Sequence, residues 1–346
     1  MMVSIRGDKT LFMITLLLVC LGLVMIYSAS AILAARRYDD SLYFFKKQFI
    51  WVGLGLTLLW ITSRIPYDFW RAWAIPLVFA SIGLLALVLF PGAGVEINGS
   101  RRWLRFGDLT FQPSEAARLF VVVYLARYLA KNPERMADFW KGMVPPLVLC
   151  GTVIALILAE SDLGSAVLIA TVGGLLLFAG EARWRHLGFL GLLSLPVLYS
   201  MIMRFDYRRE RLMTFMDPWK DPTDSGFQMV QSFMAFGSGG TFGAGLGEGH
   251  QKLFFLPYPH TDFIFAVIGE ELGLIGAVAV VALFGIFLWR GLTVSLKAPD
   301  LFGRYLAFGL TMMILVQAMI NLGVTTGLLP TKGMTLPFVS YGGSSL

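Results

Sequence analysis

Residues 11–34 read LFMITLLLVCLGLVMIYSASAILA and contain no charged side chain. A helix rises about 1.5 Å per residue and a bilayer's hydrocarbon core is about 30 Å thick, so this stretch crosses it with room to tilt. Eight further apolar runs follow, at 49–62, 73–90, 116–130, 143–159, 163–179, 187–203, 263–289 and 305–329. Backbone exposed to lipid must satisfy its own hydrogen bonds, which leaves helices or closed barrels. Runs of this length read as helices. The fold class is therefore an all-α polytopic membrane protein with nine visible spans, organised as one transmembrane domain over residues 1–346.

Composition agrees. The hydrophobic set makes up 57% of the 346 residues, 37 glycines come on top of it, and charged residues are only 14%. Mean hydropathy is +0.71. Too little polar surface remains to cover a water-soluble enzyme, and the apolar content excludes a disordered chain. The net charge of +6 is read as membrane topology and attraction to anionic headgroups, not as nucleic-acid binding. Cys20 and Cys150 lie inside apolar runs and read as small hydrophobes. The first apolar run is longer than a signal h-region and has no small-residue cleavage site after it, so it reads as a retained span.

Thirteen Lys and Arg of the short loops fall on the side of the N-terminus and eight on the other. The bias places the N-terminus in the cytoplasm. The one long hydrophilic connection, 204–262, is then a large extracytoplasmic loop between the seventh and eighth spans. Three outer stretches hold ionisable residues among Pro, Gly and aromatics. In the first, Pro113 suits a helix start with Gln112 or Thr110 near the cap, and Glu115 and Arg118 share one helical face. Asn98-Gly-Ser in that stretch is formally a glycosylation sequon and is discounted. In the second, Phe227, Val230 and Met234 have the spacing of an amphipathic helix. The glycines that follow, Gly237 to Gly247, lack the ending of a phosphate loop and read as close-packed turning backbone. In the third, Asp262 opens a long apolar helix as a cap or first-turn anion. Glu270 and Glu271 lie two turns further in, and at least one must turn inward to a partner. His260 is a lone histidine, and none of the three histidines has metal-ligand spacing. Glu160-Ser-Asp162 forms a fourth acidic turn.

These stretches together resemble the SEDS family of bacterial cell-wall proteins, its division (FtsW-like) branch more than its elongation (RodA-like) branch. The matching text is Gln112-Pro-Ser-Glu115, Glu160-Ser-Asp-Leu-Gly, Asp217-Pro-Trp-Lys-Asp-Pro, Gly226-Phe-Gln-Met-Val-Gln-Ser, the run from His260 to Gly273, and Leu329-Pro-Thr-Lys332 onward to Ser345. Gln251 to Pro257 and Thr331-Lys-Gly favour the division branch. The resemblance implies a SEDS-type helical bundle of ten spans in the cell inner membrane, of which this chain shows nine. It implies a peptidoglycan glycosyltransferase that polymerises lipid II into glycan strands, paired with a class B penicillin-binding protein (an FtsI-like transpeptidase) and other division proteins. The family's essential aspartate falls on Asp262, and family cavity positions fall on Glu115, Arg118 and Lys332. Arg118 stands where lysine is common, which keeps the charge but exchanges an ammonium for a planar fork.

The chemistry fits those charges. A polyprenyl diphosphate is a good leaving group and calls for cations, for which Arg118, Lys332 and Arg101 or Arg102 are candidates. His260 joins them as a substrate-binding candidate. The attacking sugar hydroxyl calls for a base, the role expected of Asp262. A divalent cation, Mg or Mn, on the diphosphate is compatible with this chemistry, but no ligand spacing marks it. Two other readings share the same features: a transporter such as a lipid II flippase, and a scaffold that only recruits the crosslinking partner.

Overall fold

A computed structural model describes residues 7–90, 92, 94–97, 100–106, 109–251 and 259–342. Asn98 and Gly99 of the sequon, the 252–258 part of the outer motif and the last four residues lie outside the described residues. Every predicted apolar run is a helix: α1 Lys9–Tyr38, α2 Tyr43–Arg64, α3 Tyr67–Leu89, α4 Pro113–Lys131, α5 Val144–Ala159, α6 Leu163–Ala179, α7 Trp184–Met203, α10 Ile264–Leu296 and α11 Leu301–Thr325. Seven are long and apolar enough to cross a membrane by themselves, that of α5 together with the turn before it. α6 is shorter, and α4 carries Glu115, Arg118, Arg127 and Lys131, so its apolar character is diluted.

The structure adds elements that helical periodicity does not foresee. Residues on either side of the Asn98 sequon form a three-stranded antiparallel sheet, β1 Gly94–Ile97, β2 Ser100–Phe106 and β3 Leu109–Phe111. The long outer segment holds two helices, α8 Asp206–Met216 and α9 Phe227–Gly239. The seam expected on α9 is displaced: Met234 is exposed, and the buried face runs through Met229, Val230, Ser232, Ala235 and Gly239. Ser232 at the centre of that face donates to the Thr325 carbonyl at 2.6 Å.

The chain forms two compact units. The second unit comprises residues 61–193 and 288–316. In it α3, α4, α5 and α6 pack on one another, and the sheet lies against α3 and α4. Pro76 inside α3 has no N–H, so the Ala72 carbonyl loses its helical donor. Arg127 of α4 supplies the replacement: its Nη1 donates to Ala72 O at 3.0 Å and to Arg71 O at 2.8 Å.

The first unit comprises residues 1–60, 194–287 and 317–346. Its central feature is a break in α10. Gly273 has φ +66° and ψ −165°, outside the helical region, so the backbone groups around it lose their partners. The glycine-rich loop after α9 takes them up. Ala244 N donates to Glu270 O, Gly245 N to Glu271 O, while Leu274 N donates to Gly240 O and Ile275 N to Thr241 O. Gly243 and Gly245 hold φ of +83° and +109°, and a Cβ on Gly243 would run into the Glu271 carbonyl. The expectation of close-packed turning backbone is met, with the break as its purpose.

Gly243→Ala should therefore lower stability by about 2 kcal/mol or more, through both the left-handed φ and the clash. Gly53→Ala in α2, where a Cβ meets nothing within 4 Å, should leave the thermal midpoint of the detergent-solubilised protein unchanged or slightly raised. Equal midpoints for the two variants would show that the loop does not brace the break.

Candidate functional site

In the first unit the predicted site residues cluster around one irregular turn. Residues 259–263 lead into α10, and their carbonyls are held by distant donors. Asn321 Nδ2 of α11 donates to Asp262 O at 2.8 Å, Ser340 Oγ to Thr261 O at 2.6 Å, and Tyr341 N to His260 O at 2.8 Å. Asn321 also holds the Met334 carbonyl at 2.6 Å, and Gln317 holds that of Thr335 at 3.0 Å. The extended segment 330–336 is thereby laid beside the turn. A Cβ on Gly333 would stand 3.1 Å from Asp262 Oδ2, so Lys332 is carried next to the carboxylate's neighbour. Arg211 at the middle of α8 reaches the Thr331 carbonyl at 3.5 Å.

Asp262 is half-buried. Burial pushes its carboxyl up to about 6, against the pull of the Arg211 guanidinium. His260 is buried between the rings of Phe44 and Tyr341, at centroid distances of 4.5 and 5.5 Å. Burial lowers its pKa to about 4, so the ring is neutral at neutral pH and offers no cation to a diphosphate. Further along, both acids of α10 turn inward as expected, onto hydroxyl and backbone donors. Glu271 accepts from Ser28 Oγ of α1 at 2.7 Å and from Gly247 N at 3.2 Å. Glu270 accepts from His250 N at 2.7 Å and Gln251 N at 3.1 Å.

In the second unit Glu115 and Arg118 stand on the first turns of α4, with Pro113 at the helix start as expected. Gln112 is the residue at the cap but makes no capping bond with its side chain. It donates instead to Ser114 Oγ at 2.9 Å and to Asp162 Oδ2 at 3.4 Å. Asp162 caps α6 through Ser165 N and also accepts from Ser165 Oγ, which in turn accepts from Arg118 Nη2 at 2.6 Å. Burial works to raise the Asp162 pKa, but the Ser165 bonds and the charges of Arg102 and Arg118 hold it below the usual carboxylate value. Arg118 thus sits at the end of a chain of hydrogen bonds from Gln112 through Asp162 and Ser165. It also borders a small, mainly apolar pocket of about 10 Å³ with Val121, Val122, Leu168 and Val172.

The two candidate arginines of the sheet differ. Arg101 is exposed and paired with Glu96 at 3.4 Å. Arg102 donates to the carbonyls of Glu160 at 3.1 Å and Ser161 at 2.8 Å. Those bonds offset the strain of Ser161, a non-glycine residue at φ +64°. Glu160 is 2% exposed and neither carboxyl oxygen finds a hydrogen-bond donor among the described residues. Burial, and then the Asp162 charge, raise its pKa to about 8 against the pull of Arg102.

Sequence reasoning flagged Gln112, Asp162 and the acidic turn without joining them into a network. It missed Arg211 and Asn321 as members of the Asp262 cluster. The signal for Asn321 was an amide inside an apolar helix, where a polar side chain needs a partner.

Glu160 gives a pH test. Its carboxyl takes up a proton on folding between the ordinary 4.5 and about 8, so stability is fully present below that interval. It falls by up to about 1.4 kcal/mol per pH unit as pH rises through the interval. The thermal midpoint should drop between pH 5 and 9 in the parent chain and much less in Glu160→Gln, which stays neutral. Parallel curves would contradict a proton on Glu160.

Comparison with known proteins places this geometry among cell-wall proteins. The family profile FTSW_RODA_SPOVE, described as cell cycle protein, matches residues 8–346. A probable peptidoglycan glycosyltransferase FtsW of Geobacter metallireducens is 46% identical over 341 residues, 99% of this chain and 91% of that protein. Stage V sporulation protein E of Bacillus subtilis is 43% identical over 339 residues, 98% of this chain and 93% of its own. Among solved structures, one described as "Structural coordination of polymerization and crosslinking by a peptidoglycan synthase complex" superposes with a TM-score of 0.81 at 34% identity, covering 99% of this chain and 94% of the other. The rod shape determining protein RodA of Thermus thermophilus superposes at 0.73 with 32% identity, covering 99% and 93%.

Proposed function

We propose a function from one premise: the chain belongs to the FtsW/RodA/SpoVE family, the SEDS proteins. It is an FtsW-like peptidoglycan glycosyltransferase and a multi-pass membrane protein. Our reading of its reaction is the polymerisation of lipid II into glycan strands for the division septum. The site faces the extracytoplasmic side of the inner membrane, with the N-terminus in the cytoplasm. The partner is a class B penicillin-binding protein that crosslinks the strands, and other division proteins assemble around the pair.

The observation that supports this reading best is the environment of Asp262. A carboxyl titrating near 6 is ionised at neutral pH yet remains a usable proton acceptor. In the proposed step the acceptor sugar's hydroxyl attacks the anomeric carbon of the donor. The C–O bond to the polyprenyl diphosphate breaks, and the hydroxyl proton passes to Asp262. One displacement converts an α-linked donor into a β-linked strand. The charge of Arg211 acts on this carboxylate, Gly333 beside Lys332 in the chain lies against it, and Lys332 is assigned to the diphosphate. Arg118, oriented by Ser165 and Asp162, is assigned the same kind of charge in the second unit, with Glu115 as its companion on α4. Arg102 is assigned to the α5–α6 turn that presents Asp162. Among the described residues no three His, Cys, Asp or Glu side chains gather as metal ligands, and no step is assigned to a divalent cation.

Asp262→Asn should abolish strand formation from purified lipid II while leaving expression and the thermal midpoint intact. Polymer made at the parental rate would end the base assignment. In the parent, kcat/KM should rise with pH up to about 6 and level off above it, as the carboxylate form fills. Lys332→Ala should raise the donor KM by about tenfold, the loss of one charge-assisted contact; an unchanged donor KM would remove its role.

A flippase shares one feature with this reading, the broken helix α10. Labelled lipid II separates the two: chain growth supports the polymerase, and leaflet transfer without growth supports the transporter.

A further inference from the structure

The second unit carries another built site at the opposite end of α4 from Glu115. α4 is 19 residues long, so its two ends are about 28 Å apart, close to the thickness of a bilayer core. At the C-terminal end lies an open groove of about 800 Å³. Arg127 and Lys131 are one turn apart on α4 and face it together. The chain then turns through a 3-10 segment, Pro133–Arg135, which brings Arg135 to the same rim. Ile75, Tyr124, Tyr128 and Ala130 line the groove's apolar side, and Glu134 is the one acid among the lining residues.

Two observations indicate that these cations are available to an outside anion. First, the carbonyls at the end of α4 are already served. Asn132 N donates to Tyr128 O and Leu129 O, and Asn132 Nδ2 donates to Tyr128 O at 3.0 Å. Lys131 and Arg135 are exposed, and the ion pairs among the described residues lie elsewhere. Second, Arg127 is anchored by neutral carbonyls, those of Arg71 and Ala72. Its position at the groove is held and its charge is not neutralised. Three cations against one carboxylate leave the groove net positive beside an apolar wall.

We propose that this groove binds the phosphate of an anionic membrane lipid, with the lipid's chains along Tyr124, Tyr128 and Ile75. A free phosphate would use only the charged rim and leave the aromatic wall bare, so a lipid uses more of the lining. By the Lys and Arg bias the groove lies at the cytoplasmic leaflet, where anionic headgroups concentrate and basic pockets between helices hold them. The shared chemistry is a phosphate on a lipid, either a bulk phospholipid or a polyprenyl diphosphate. Arg127 has a second role in the fold, so Lys131 and Arg135 are the residues to change.

The test is native mass spectrometry of the whole chain released from detergent, titrated with phosphatidylglycerol or phosphatidylcholine. The parent should retain phosphatidylglycerol in preference to phosphatidylcholine. The double variant Lys131→Gln/Arg135→Gln should lose that retention by about tenfold or more, as expected for two surface cations. Lys131→Arg/Arg135→Lys should restore it. Both positions are exposed, and an unchanged thermal midpoint verifies the fold. Displacement of phosphatidylglycerol by one equivalent of a polyprenyl diphosphate identifies the diphosphate lipid as occupant; resistance to it identifies the bulk lipid. Equal retention by parent and double variant, or equal retention of both phospholipids, would overturn the proposal.

Discussion

Backbone groups that leave a helix inside a membrane protein must find donors or acceptors within the protein, because the surrounding hydrocarbon supplies none. Four irregular places among the described residues are tied down in this way. At Gly273 the helix opens, and four backbone bonds are exchanged with the glycine-rich loop. At Pro76 a missing N–H is replaced by the Arg127 guanidinium. At the α5–α6 turn, Arg102 holds the carbonyls of Glu160 and Ser161. Before α10, Asn321, Ser340 and Tyr341 hold three successive carbonyls of the turn that presents Asp262. The candidate chemistry sits where the backbone departs from the helix and is tied down again.

The same requirement explains the polar side chains. Glu270 and Glu271 would be very costly as free charges in the interior. They are absorbed by backbone N–H groups of the glycine loop and by Ser28. Asp162 is absorbed by Ser165 and Gln112. Glu160, without such donors, takes a proton instead. Asp262 lies between these cases: burial raises it only to about 6, the range in which a carboxylate can both stay ionised and accept a proton. The buried acids thus differ in what compensates them: hydroxyl, amide and backbone donors for Glu270, Glu271 and Asp162, and a proton for Glu160.

Much of this was legible in the residues. The nine apolar runs coincide with nine helices, and for seven of them length and lack of charge are enough to commit the segment to a span. The glycines of 237–247 read correctly as packed turning backbone, since left-handed φ and close approach both need the absence of a Cβ. The small sheet was missed: its strands are three to seven residues long, and stretches that short carry too little alternation to announce themselves. The seam of α9 was misplaced because Ser232 and Gly239, which turn inward, are not apolar, while Met234 is apolar and exposed. Burial there follows a hydrogen bond to Thr325 and close backbone approach, neither of which a hydrophobic pattern records.

The residues alone determined the membrane-spanning class, the helix order and the ionisable positions, because each depends on local composition and on the energy of placing a charge in lipid. Tertiary structure decided which of those ionisable groups meet hydrogen-bond donors and which are buried without them. It also decided that the backbone at Gly333 lies against Asp262 and that Arg118 is held by Asp162 through Ser165. The reason is that a hydrogen bond between groups tens or hundreds of residues apart depends on where packed helices bring them, and no local pattern carries that distance.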